Sequence, residues 1–137
     1  MDKLDTLYQD AKDEDIFVLT GPLKREESMI FEHKGDVAIV LNSGSIETRK
    51  YERYLMAHEM AHYHTGTYYT IYSSLQLRSQ MEYRADTWMV CDLVPIDDLK
   101  EAVRQEYTEI WELADYFDVP EKVIRRAVEI YQNKGLL

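Results

Sequence analysis

Apolar residues recur at two spacings along the chain, and the changes of spacing mark its elements. Leu4, Leu7, Tyr8 and Ala11 fall at i, i+3, i+4 and i+7, which predicts a short helix over residues 3–12. The run IFVLTGP (16–22) is apolar and closes on Gly-Pro, the pattern of a strand and turn. Two β-prone runs, Met29 to Glu32 and Val37 to Leu41, flank HKGD, which predicts a hairpin with Gly35 in its turn. NSGS (42–45) then breaks the strand and offers capping side chains for a helix. From about Ile46 to His64 the residues Tyr51, Tyr54, Leu55, His58 and His62 recur at helical steps, and Thr65-Gly66 ends the run.

Residues 67–73 read as a loop or short extended piece. Ser74 is placed to cap a second helix that reaches about Leu93, with Leu77, Met81, Ala85, Trp88 and Met89 as its apolar stripe and Pro95 as its stop. PIDDLKEAVRQ, TEIWELADYF and DVPEKVIRRAVEIYQNKG predict three further helices, the last capped by Asp118 and stopped at Gly135. A chain of 137 residues is one domain's worth. The expected fold class is α+β: a core over 1–95 with a small antiparallel sheet, and a helical extension over 96–137 packed on it.

Charge narrows the function classes. A formal net charge of -10 argues against a chief role in gripping phosphate backbones. The lone Cys91, in the apolar run TWMVCDLV, reads as a buried small hydrophobe and can form no internal disulfide. The acidic start lacks the apolar stretch of a signal peptide, and no run reaches the roughly 18 to 20 apolar residues of a membrane span. The expected location is the cytoplasm.

Three of the four histidines fall in YLMAHEMAHYHTG (54–66). HEMAH (58–62) fits H-E-x-x-H. Residues four apart lie one above the other on a helix, so His58 and His62 can direct both imidazoles at one metal ion. Glu59 sits one position round, able to reach a water without being a ligand. A catalytic zinc needs a third protein ligand. QMEYRADTW supplies Glu82 and Asp86, four residues apart on one helix face. Glu82 follows His62 by 20 residues, enough for a loop and two helical turns to bring it back. Glu82 is assigned as the third ligand, and Asp86 as the carboxylate that accepts the free ring N–H of a ligand histidine, His58. The alternative is an Arg78–Glu82 ion pair, a solvated Asp86 and histidines without metal.

Together HEMAH, Thr65-Gly66 and EYRADTW…LVP resemble the ImmA/IrrE family of zinc metallopeptidases, in the small form carried by phages and other mobile elements. The family pattern matches at His58, Glu59, His62, Glu82, Ala85, Asp86 and Trp88. DVAIVLNSGS and the tail WELADYFDVPEKVIRRAVEIY are similar to the family's strand and helical tail, so the likeness runs from about residue 28 to the end. Ala61 stands where glycine is commoner, and alanine is the better helix former. The resemblance implies a zincin-like core with two active-site helices. It also implies cleavage of a helix-turn-helix repressor of the mobile element as the activity.

In that reading zinc sits on His58, His62 and Glu82, and Glu59 takes the proton of the attacking water and delivers it to the leaving amine. His64, Tyr68, Tyr69 and Arg84 are the candidate oxyanion donors. His64 is expected to turn away into solvent, which favours a tyrosine of the 67–72 loop. The strand at 37–41 is expected to offer an edge to which a substrate segment adds. Two alternatives belong to other classes. One is a non-catalytic repressor-binding or toxin–antitoxin component. The other is a DNA-binding helix-turn-helix in ELADYFDVPEKVIRRAV. From Asp118 onward four basic residues (Lys122, Arg125, Arg126, Lys134) face three acidic ones (Asp118, Glu121, Glu129), a weak footprint for reading DNA.

Overall fold

The computed structural model describes residues 1–68 and 73–137. The fold is α+β, with six helices and a three-stranded sheet among the described residues. The chain forms two compact units, Met1–Ala85 and Asp86–Leu137.

In the first unit, α1 (Lys3–Asp13) is capped by the Asp2 carboxylate, which accepts from the Asp5 amide at 2.9 Å, and it buries Leu4, Leu7 and Ala11. The strands β1 (Phe17–Gly21), β2 (Ser28–His33) and β3 (Asp36–Asn42) follow. Lys34 and Gly35 both hold positive φ, 51° and 87°, as a two-residue type I′ hairpin requires between β2 and β3.

The sheet is mixed, where an antiparallel one was expected. Its order is β1-β3-β2, with β2 antiparallel and β1 parallel to β3. The cause is the link 22–27, which carries the chain from one edge of the sheet to the other. Asn42 holds that link: its amide donates to the Leu23 and Glu26 carbonyls at 3.1 and 2.9 Å. With partners on both sides, β3 has no free edge, so the expectation that 37–41 offers one is overturned. The edges are β1 and β2. Ile39 and Leu41 are fully buried on the inner face, whereas Phe17, Leu19, Met29 and Phe31 are exposed.

Helix α2 (Arg49–Thr65) packs against α1, β2 and β3. It starts later than Ile46 because Thr48, not the NSGS segment, caps it, accepting from the Tyr51 amide at 3.1 Å. Asn42 instead folds NSGS into a turn, accepting from the Gly44 amide at 3.1 Å. Helix α3 (Leu75–Leu93) begins where Ser74 caps it, with the Leu77 amide donating to Ser74 Oγ at 3.1 Å.

In the second unit α4 (Ile96–Arg104), α5 (Ile110–Phe117) and α6 (Glu121–Asn133) follow, and α5 packs on α6. Asp118 does not cap α6. It closes α5 in the left-handed region (φ 54°), and Pro120 starts α6. Leu113, Val119, Ile124 and Ile130 are buried. The Tyr131 hydroxyl, its pKa pushed up by burial, donates to the Val94 carbonyl at 2.7 Å. Cys91 is exposed, which corrects the expected burial: the buried stripe at Met89, Val90 and Leu93 leaves position 91 on the outer side of α3. No helix among the described residues is long and apolar enough to cross a membrane.

Candidate metal centre

Helix α2 sets the frame of the site. Its four-residue step stacks His58 over His62, with ring centroids 4.8 Å apart. The amino-terminal half of α3 brings Glu82 to them. Its Oε1 lies 3.0 Å from His62 Nε2 and its Oε2 lies 3.4 Å from His58 Nε2. With zinc–nitrogen and zinc–oxygen bonds of 2.0–2.1 Å, neighbouring ligand atoms of a tetrahedral site stand about 3.3 Å apart. Each histidine nitrogen therefore stands from a Glu82 oxygen at about the separation of two ligand atoms on one ion, and two imidazoles with one carboxylate are a donor set that suits zinc. His62 is 5% exposed, His58 19% and Glu82 29%, so the site opens on the Glu82 side.

His62 is aimed by the helix end. Its Nδ1 donates to the Thr67 carbonyl at 2.9 Å and stands 2.9 Å from the Thr67 hydroxyl. A carbonyl can only accept, so this contact puts a proton on Nδ1 and leaves Nε2, on the Glu82 side, as the ring atom that would bind a metal. Gly66, in the left-handed region (φ 64°, ψ 30°), makes this possible by folding the chain back. The Thr67 amide then bonds the His62 carbonyl at 3.0 Å. The Thr67 hydroxyl lies 2.7 Å from Thr65 Oγ1, which donates to the Ala61 carbonyl at 2.7 Å. Thr67 was missed in the sequence, although the signal was there: a glycine past the last turn returns the next residue to that turn.

Glu59 is buried (4% exposed) beside the two histidines, and His58, Glu59 and His62 each offer one candidate metal-binding atom within 4.8 Å of the others. Its Oε2 accepts from Ser28 Oγ at 2.6 Å, a contact from the start of β2 that spacing along the chain gave no means to find. A cleft of about 340 Å³ opens over these groups, walled by Ser28, Met29 and Ile30 of β2 and by Tyr68, Arg78 and Glu82.

The remaining candidates separate. Tyr68 lines the cleft, and burial first, then the nearby Tyr63 and Glu32, raises its pKa and keeps the phenol a donor. His64 is turned away and lies 2.7 Å from Asp10, an ion-pair geometry in place of the expected solvation. Arg84 is exposed beside a different cavity with Gln80 and Tyr83. Tyr69 lies outside the described residues. Asp86 opens the second unit, where it accepts from Arg126 Nε at 2.9 Å.

Comparison with known families gives one finding. The family model Peptidase M78, described as the IrrE N-terminal-like domain, matches residues 11–129, the span that contains every residue of the centre. Neither the curated proteins nor the solved structures yield a match.

Proposed function

The chain belongs to the Peptidase M78 family of IrrE N-terminal-like domains, and from that membership we propose that it is a zinc-dependent endopeptidase acting at the cleft between β2 and α2. The observation that carries this reading is Glu82, 3.0 and 3.4 Å from the two histidine nitrogens, with Glu59 beside them. His58, His62 and Glu82 would hold the ion. Zinc there supplies Lewis acidity, which brings the pKa of a water to about 7 and polarises a carbonyl.

The chain's own residues do the rest. Glu59 has one oxygen engaged by Ser28, which leaves Oε1 to take the proton of the attacking water and to pass it to the leaving amine. Tyr68, which lines the cleft, would donate to the oxyanion. Thr67 holds His62 in its ligating tautomer. A substrate segment entering the cleft lies along β2, an edge strand that can accept a further strand.

The proposed substrate is a helix-turn-helix repressor of the mobile element that encodes the chain, a reading supported by the family resemblance. Co-expression with that repressor tests it. Wild type should yield two discrete fragments and derepress a reporter. Glu59→Gln should cut at least about 100-fold more slowly while keeping its metal. Full derepression by Glu59→Gln with an intact repressor would show that binding, not hydrolysis, is the activity.

A further inference from the structure

We propose that Ser28 is a positioning residue for Glu59, tying the orientation of the general base to the edge strand β2. The inference rests on Glu59 being the base of the proposed reaction. Ser28 and Glu59 are 31 residues apart in the chain, yet Ser28 Oγ stands 2.6 Å from Glu59 Oε2. That is the length of a hydroxyl–carboxylate bond, among the stronger neutral-to-charged kinds. Glu59 is buried, so each oxygen left without a partner costs free energy.

The geometry gives the two oxygens different tasks. A glutamate on a helix can turn about three side-chain torsions. The bond from Ser28 fixes one oxygen and with it the carboxylate plane. The other oxygen is not engaged by Ser28, and the side chain lines the cleft with His58 and His62. Proton abstraction needs a heavy-atom approach of about 2.6–3.2 Å, so a base free to turn away spends much of its time out of reach.

Ser28 is itself held. It is the first residue of β2, and its backbone pairs with Leu41 of the central strand, a fully buried position. The hydroxyl donates without bringing charge. A carboxylate at position 28 would repel Glu59, and an alanine would leave Oε2 without this donor. The same strand walls the cleft through Met29 and Ile30, so the residues that meet a substrate and the residue that orients the base move as one element.

The test uses the zinc-loaded full chain and, as substrate, whichever peptide wild type cuts fastest in a proteome-derived peptide library. Ser28→Ala should lower kcat about tenfold or more, with KM and zinc content within about twofold of wild type. Ser28→Thr, which keeps the hydroxyl on a strand-favouring side chain, should recover kcat to within about threefold. On metal-free protein, the shifts in urea midpoint of Ser28→Ala and Glu59→Ala should be non-additive in the double variant. Wild-type kcat in Ser28→Ala, or no recovery in Ser28→Thr, overturns the proposal. Additive midpoints overturn the contact itself. A wild type that cuts neither a library peptide nor the co-expressed repressor overturns the peptidase reading instead, and the midpoints still decide whether Ser28 and Glu59 are coupled.

Discussion

Gly66 holds φ 64° and ψ 30°, a conformation that costs an L residue roughly 1–2 kcal/mol. Its effect reaches His62, because the fold-back it permits is what brings the Thr67 carbonyl to Nδ1. Gly66→Val should lower stability by about 1–2 kcal/mol in urea unfolding and weaken zinc binding about tenfold or more in chelator competition. Thr67→Val keeps the carbonyl and loses only the hydroxyl, so its zinc affinity should stay within a few-fold of wild type. This contrast explains which parts of the site were legible in the sequence. In the proposed site His58, Glu59 and His62 act through side chains at helical spacing on α2, and Glu82 through a side chain on α3, all of which letters record. Thr67 works largely through a main-chain carbonyl, for which there is no letter. Ser28 reaches Glu59 only after β2 pairs with β3, so no local pattern contains it.

Elements differ in the same way. Ser74, Leu93 and Pro95 bound α3 almost to the residue, because capping, periodicity and a proline stop are local signals. The direction of β1 was not local. It depends on the link 22–27 and on the Asn42 amide that holds it, and an alternating run reads alike in a parallel or an antiparallel pair. The hairpin was legible, but the positive φ of Lys34 was not. Lys34→Asn should stabilise the protein by about 0.5–1 kcal/mol in thermal or urea unfolding, since asparagine tolerates the left-handed region.

Helix α1 offers a pH-dependent check. The Asp5 amide, and after it Arg49, lower the Asp2 pKa from 3.8 to about 2. A carboxyl lowered on folding adds stability that is complete above its unfolded value and is lost as pH falls through its folded one. Asp2 should therefore support α1 fully above pH 3.8 and lose that support toward about 2. Carboxyl-carbon NMR titration should show the low midpoint, and Arg49→Ala should move it upward; an Asp2 midpoint at its ordinary value would contradict the cap.

For the whole molecule, charge and the use of its arginines bear on partners. The formal net charge is -10. Within the second unit Arg126 is paired with Asp86 at 2.9 Å and Glu129 at 3.2 Å, and Arg125 lies 3.4 Å from Glu121. Basic groups engaged in this way offer little to a phosphate backbone. Duplex DNA should show no salt-sensitive shift with the full chain, and a tight shift that weakens steeply with salt would favour the helix-turn-helix reading over the peptidase one.

If two histidines of α2 and one glutamate of α3 form a single metal site, metal content measures it most directly. Wild type and Glu59→Gln should each carry close to one zinc per chain, and Glu82→Ala should lose most of it. Equal, near-stoichiometric zinc in wild type and Glu82→Ala, or none in either, would contradict the account.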